Sequence, residues 1–240
     1  MARKADKATA GTAETRDSAK TVDPRRKVVE ALMRLAANQP YASITLTEIA
    51  HEAGLSLADL RDLFPSKGAI LGGLMRMVDR TVLTGSTDDM ADESAHDRVL
   101  DVMMRRFDAL APYKAGLASA WRDLRYDPAA LLAFNQAALN SWRFMLESAG
   151  IETGGGLGLV RTQGAVLVFS RAFEAWLEDG EDMARTMAVL DTELRRGEKV
   201  LSAADALHRL TAPLRGMARA ACTARRSRRP TSGEDMDLAS

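Results

Sequence analysis

Apolar side chains recur along most of this chain at every third or fourth position, the spacing of one buried face of an α-helix. Val28, Leu32 and Leu35, with Val29 and Ala36 beside them, predict a first helix opening at Asp23 or Pro24 and broken by Asn38-Gln39-Pro40-Tyr41. Ile49, Ala50 and Ala53 predict a short second helix, and Leu60, Leu63 and Phe64 the inward side of a third. Ile70, Leu71, Leu74, Met77 and Val78 predict a helix from Ser66 to about Leu83. After a polar linker, Gly85–Glu93, the pattern resumes with Val99, Leu100, Val102, Met103, Phe107 and Leu110, and Pro112 breaks it. Lys114–Arg125 follows as a helix containing Trp121. Asp127-Pro128 opens another, with Pro at its first position and Leu131, Leu132, Phe134, Leu139, Trp142, Met145 and Leu146 on its apolar side. Leu157–Leu177 is apolar on nearly every side, which predicts burial by its own domain and by a partner subunit together. Asp182–Arg195 and Val200–Leu210 are predicted as two last helical segments joined near Gly197.

The fold class that follows is all-α. Residues 1–22, polar and aperiodic, read as a disordered arm. Residues 23–83 form a small helical head and 94–210 a larger helical body; 211–240 read as a disordered tail rich in arginine.

Within the head, Thr45–Phe64 has the punctuation of a helix-turn-helix. Thr45-x-x-Glu48 is a capping box, in which the Thr hydroxyl accepts from the Glu48 amide and the carboxylate reaches back. Gly54 ends the helix, because the chain leaving it needs a positive φ. Ser56 caps the next helix with Asp59 at its third position. Ala50 is small where the second helix crosses the first.

Ile44-Thr45, Ile49-Ala50, Ala53-Gly54-Leu55-Ser56 and Phe64-Pro65-Ser66-Lys67, followed by Ile70-Leu71, together resemble the N-terminal domain of the TetR family of transcriptional regulators. The resemblance runs over Arg25–Arg80. It implies an all-helical homodimer with a DNA-reading head and a ligand-binding, dimerising body. It also implies which residues meet double-stranded DNA: Thr45, Thr47, Ser56, Leu57, Ala58, Asp59, Arg61, Asp62 and Lys67. Thr45 or Thr47 and Lys67 would hold phosphate, while Arg61 would donate to guanine. The chain departs from the family where an aromatic residue gives way to Arg61 and a ring to Leu63. Two carboxylates, Asp59 and Asp62, also stand on the face that would meet phosphate.

Composition narrows the field. With 240 residues, 46% hydrophobic, the chain has ample core for one large or two small domains. No apolar run approaches the roughly 20 residues of a bilayer span. The N-terminus MARKADKATAG has no apolar signal region, so the expected location is the cytoplasm. The single Cys222 cannot form an intrachain disulfide and suggests a reducing compartment. His51, His96 and His208 lie at no metal-ligand spacing, so neither a metal nor any other cofactor is expected. The formal net charge is zero. Acids exceed bases over 84–214, the head is nearly balanced, and Arg215–Arg229 is basic, a thin electrostatic footprint for a DNA binder.

All three tryptophans lie in the body. Phe107, Tyr113, Trp121, Arg125, Phe134, Trp142, Phe169, Phe173 and Trp176 are the candidates for lining a pocket for a small hydrophobic ligand, with Tyr113, Trp121 and Arg125 as its polar tips. Core packing is the competing explanation for each ring. Gly154-Gly155-Gly156 with Gly158 invites a nucleotide loop, but no strand precedes it and no acidic residue stands at the right distance, so a plain loop is the better reading. No Ser/His/Asp set, GxSxG or CxxC supports an enzyme.

Two functions remain. One is a transcriptional regulator, acting as a repressor, whose operator binding responds to a hydrophobic ligand. The other is a TetR-folded accessory protein that binds isoprenoid lipids for quinone biosynthesis and no longer reads DNA. Ala109-Leu110-Ala111-Pro112-Tyr113 and Trp176-Leu177-Glu178-Asp179 faintly resemble that second family.

Overall fold

Asp23 starts the folded chain by accepting the N–H of Arg25 on Oδ1 at 2.9 Å, and Pro24 fills the first helical position, where no amide is needed. The computed structural model describes residues 23–85, 90, 92–200 and 202. α1 (Pro24–Asn38) leads through a 3-10 turn, Tyr41–Ser43, to α2 (Leu46–Ala53), α3 (Leu57–Leu63) and α4 (Lys67–Thr84). The body comprises α5 (Ala95–Leu110), a 3-10 turn at Ala111–Tyr113, α6 (Lys114–Leu124), α7 (Pro128–Ser148), α8 (Gly155–Glu178) and α9 (184–200). Among the described residues there is no strand.

The predicted helices form within a few residues of their expected ends, and most of their starts carry a side-chain cap; α6 and α8 do not. Ser94 Oγ accepts the Asp97 N–H at 3.2 Å, Ser66 Oγ accepts that of Ala69 at 3.2 Å, and Asp127 Oδ1 accepts that of Ala129 at 3.0 Å. Head and body share one apolar interior rather than two. Leu32, Ile49, Leu60 and Ile70 belong to the same continuous buried cluster as Met103, Phe107, Trp142 and Trp176. Polar contacts reinforce the seam. The Arg106 guanidinium of α5, only 3% exposed, pairs through Nη1 with Asp79 of α4, and Ser141 Oγ of α7 donates to the same carboxylate at 2.7 Å.

Two expectations need correction, the joint at Gly197 and the buried side of α7. Gly197 is no joint: α9 runs unbroken through it, since one glycine inside a packed helix lowers its stability without ending it. Of the segment Val200–Leu210, only Val200 and Ser202 are described; the remainder, like residues 1–22 and 211–240, lies outside the described residues. On α7, Leu132 and Phe134 are 72% and 41% exposed, because the buried side of that helix is set by Ala138, Ser141, Trp142, Met145 and Leu146. On α8, which starts at Gly155, Leu159, Val160 and Leu167 stand open to solvent within this chain.

The glycine-rich stretch is explained by packing at one position. A Cβ on Gly158 would lie 2.0 Å from the Thr153 carbonyl oxygen, so the chain doubling back into α8 admits no larger residue there. No helix among the described residues is long and apolar enough to cross a membrane.

Candidate nucleic-acid interface

The turn between α2 and α3 is built as the spacing demands. Thr45 Oγ1 accepts the Glu48 N–H at 3.2 Å, and Glu48 Oε2 accepts both the Thr45 N–H and its hydroxyl at 2.7 Å. These bonds hold the Glu48 carboxyl below its ordinary range, the backbone bond from Thr45 being the largest cause. Gly54 adopts φ +68°, ψ 35°, the left-handed conformation that closes α2. The chain then turns into α3, where Ser56 Oγ accepts the Asp59 N–H at 3.1 Å, and Asp59 Oδ2 accepts the Ser56 N–H at 3.2 Å. Leu60 drives inward against Ile49 and Ala50, 1%, 0% and 3% exposed, which fixes the crossing of the two helices.

With Leu60 inside, the opposite side of α3 points out. Leu57, Ala58, Asp59, Arg61 and Asp62 are exposed, as are Thr45, Thr47 and Ser56 at the helix starts. Their environments are unequal. Asp59 is turned back over its own helix start, its Oδ2 also accepting the Ser56 hydroxyl at 2.6 Å. Thr45 is likewise occupied as a cap, which leaves Thr47 as the free hydroxyl at the start of α2.

Lys67 takes a position different from the expected phosphate contact. Its ammonium donates inward to the carbonyls of Ile44, Tyr41 and Ala42 at 2.7, 3.0 and 3.3 Å and lies 4.8 Å from the centre of the Tyr41 ring. All three N–H bonds of an ammonium are thereby used. Burial pushes the Lys67 ammonium below its usual range and the Tyr41 hydroxyl up to about 12. The residue ties the start of α4 to the turn that presents α2.

Arg25 is a residue that spacing did not reveal. Its Nη1 donates to the Leu63 carbonyl at 2.8 Å, and its guanidinium lies 5.3 Å from the Phe64 ring centre. It therefore caps the far end of α3 from 38 residues away, a pairing that only the folded chain brings together.

The head is held by α6. Ser119 Oγ accepts the Tyr41 N–H at 3.1 Å and donates to the Gln39 carbonyl at 3.2 Å, while Asp123 Oδ2 accepts the Ala42 N–H at 2.7 Å. On its other side α6 carries Trp121 into the body's aromatic stack. Trp121 meets Phe173 edge-on with centroids 5.8 Å apart, and Phe173 neighbours Trp176 at 5.6 Å. Phe107 stacks on Phe169 at 4.6 Å, and Trp142 lies 5.1 Å from Phe169. The Arg106 guanidinium covers Trp142 and Phe169, 5.5 Å from each ring centre.

Six of the nine expected pocket residues thus come together: Phe107, Trp121, Trp142, Phe169, Phe173 and Trp176. The other three do not join them. Phe134 lies on the surface of α7, and Arg125 is exposed, donating to its neighbour's Tyr126 hydroxyl at 2.6 Å. Tyr113 is half-buried beside the head, where burial and the charge of Glu30 push its hydroxyl up. The Trp121 indole N–H is buried with no hydrogen-bond partner among the described residues.

The arrangement of a capped helix-turn-helix on an all-helical body has solved counterparts. A TetR transcriptional regulator from Nitrosomonas europaea superposes with a TM-score of 0.57 at 19% identity, covering 73% of this chain and 99% of that one. A TetR regulator from a Rhodococcus species superposes at 0.50 and 21% identity, covering 74% and 95%. No family model and no curated protein sequence matches the chain. The fold is TetR-like: all-α, with the helix-turn-helix at the N-terminus.

Proposed function

We propose that this protein is a cytoplasmic, homodimeric transcriptional regulator that represses by holding double-stranded DNA, and that a small hydrophobic ligand in the body modulates the hold. The observation that carries this reading is the outward presentation of α3. Leu60 is fully inside while Leu57, Ala58, Arg61 and Asp62 stand clear of the protein. A seven-residue helix with so little of its own surface buried is presented for a groove rather than for its own core.

α6 supplies the mechanism. One of its faces reaches the aromatic stack through Trp121, and another grips the Tyr41–Ser43 turn through Ser119 and Asp123. An apolar ligand displacing Trp121 would shift α6 and with it the turn that carries α2. Two heads of a dimer must keep their recognition helices about 34 Å apart to meet successive major grooves. Ligand and operator would therefore be linked reciprocally. Thr47 serves phosphate and Arg61 guanine, whereas Thr45, Ser56 and Asp59 hold the helices in place and Lys67 braces the head.

Dimerisation would use the uncovered apolar side chains of α8, Leu159, Val160 and Leu167; Phe144 of α7 is exposed as well. The test is fluorescence anisotropy with duplexes taken from upstream of the protein's own and adjacent genes. An anisotropy rise with none of them at low salt would end the regulator reading.

One observation favours the lipid-binding accessory protein. With Lys67 engaged internally and Asp62 exposed, the face offers little attraction to phosphate. Mass spectrometry of lipid carried through purification separates the two: a bound isoprenoid together with no DNA binding would select the second.

A further inference from the structure

The recognition face has an uncommon makeup for contact with a polyanion. Leu57, the first residue of α3, is 51% exposed, and Ala58 beside it is exposed as well. Leu57 has Arg61 one turn along the same ridge, and Ala58 has Asp62, since residues four apart are neighbours on a helix surface. Several cations of the described head are engaged within the protein, while Lys27 on α1 stands exposed. Lys67 is spent on three carbonyls, Arg25 on the Leu63 carbonyl, Arg26 on Glu30 and Arg34 on Glu52. Arg61 is the one cation that α3 itself carries, so the apolar residues of its outer face, Leu57 and Ala58, would act on base edges. In the major groove the apolar feature of a base edge is the 5-methyl group of thymine.

We infer that Leu57 and Ala58 read thymine 5-methyl groups in the operator half-site, within about two base steps of the guanine that Arg61 reads. This deepens the regulator reading and rests on it. Leu57 leads α3, so its side chain reaches the groove at the end of the helix that enters deepest. Its apolar surface, left in water in the free protein, gains burial only against another apolar group. The neighbouring Asp59 does not contest the space, because it is folded back onto Ser56.

The experiment uses the full chain. Duplexes are enriched from a randomised library, and the selected half-site is then titrated by anisotropy with deoxyuridine replacing each thymine in turn. Deoxyuridine keeps every hydrogen bond and removes only the methyl. The expected result is a loss of about fourfold at one or two thymines, the worth of one buried methyl group. Leu57→Ala should bind the thymine duplex like the deoxyuridine one and be indifferent to the exchange at its own position. A cytosine replacing that thymine should weaken binding, and 5-methylcytosine should recover part of the loss. Equal binding of every thymine and deoxyuridine duplex by the unaltered protein would overturn the inference while leaving the regulator intact. So would an undiminished methyl effect in a folded Leu57→Ala protein. Enrichment of no sequence at all would instead overturn the regulator reading, and this inference with it.

Discussion

Gly116 of α6 lies so close to Met33 of α1 that a Cβ built on it would stand 2.6 Å from the Met33 carbonyl oxygen. The obstacle is backbone, which cannot rotate away as a side chain can. At an open helical position Gly→Ala is stabilising by about 1 kcal/mol, and at this one overpacking costs roughly 1–3 kcal/mol. Gly116→Ala is therefore expected to lower the melting temperature. Gly197 in α9 supplies the contrast, since nothing lies within 4 Å of its Cβ position. Gly197→Ala should raise the melting temperature. Thermal melts of the two variants should move in opposite directions, and a stabilised Gly116→Ala would mean that head and body do not meet at this crossing.

Lys67 separates bracing from DNA contact. A lysine on phosphate is replaceable at little expense to the fold, whereas a charged donor serving three carbonyls is not. Hydrogen bonds to charged groups contribute about 1.5–3 kcal/mol, so Lys67→Met should destabilise the protein by an amount of that order. For a chain of this length each kcal/mol corresponds to roughly 2–4 °C. An unchanged melting temperature combined with weaker DNA binding would return Lys67 to the phosphate.

The Asp79–Arg106 pair crosses from α4 to α5 in nearly dry surroundings, and Arg106 is capped by two aromatic faces. Removing one member of such a pair leaves the other charge buried, at a cost of about 3–5 kcal/mol. Asp79→Leu alone should therefore be far more damaging than Asp79→Leu combined with Arg106→Met. Denaturant titration of both proteins measures the difference. Additive losses would show that the two groups do not act as a pair.

What the sequence disclosed and what it concealed divide along a physical line. Caps, the Gly54 turn and the inward Leu60 depend on neighbours within four residues, so Thr45, Glu48, Ser56 and Asp59 could be placed before any coordinates. Lys67 and Arg25 could not, because their partners lie 23 to 38 residues away and are backbone carbonyls, which carry no sequence signature. The aromatic stack was legible as a set of residues, and Phe134 was misplaced within it. An apolar residue marks a buried position only if the helix turns that face inward, and α7 turns Trp142 there instead. Periodicity likewise missed the role of α6, whose grip on the head rests on Ser119 and Asp123, two polar residues outside any hydrophobic stripe.

Acid should loosen the structure in a definite window. Hydrogen bonds from Thr45 hold the Glu48 carboxyl below its ordinary value, and bonds from the Thr186 hydroxyl and amide do the same for Asp179. A carboxyl whose folded pKa is depressed stabilises the folded state fully above its unfolded pKa, about 3.9 for Asp and 4.3 for Glu. That contribution is lost as the pH falls through the folded value. The melting temperature should hold from neutrality down to about pH 5 and decline below about pH 4. Asp179→Asn should melt lower than the unaltered protein at pH 7, and the gap should close as the pH falls. A gap that widens in acid would contradict the hydrogen-bonding scheme.

Self-association follows from the same reasoning applied to the outer face of α8. Val160, Gly164, Leu167 and Arg171 recur at helical spacing along one side, and Val160 and Leu167 are 47% and 56% exposed. Gly164 between them has nothing within 4 Å of its Cβ position, so a second helix has room to approach closely there. Seated against an identical stripe across a two-fold axis, each side chain would meet its own counterpart or that residue's neighbour, the self-complementary geometry of most homodimers. Leu167→Glu would then set two carboxylates against each other in a drying interface, a repulsion no local adjustment removes. Light scattering coupled to size exclusion should find the unaltered protein at twice the 26.0 kDa of one chain and the variant shifted towards a single chain. Because Leu167 is exposed within one chain, the variant should keep its helical circular dichroism. Operator binding should fall with the dimer, since one head alone cannot span two half-sites; a variant that remains dimeric would place the interface on another face.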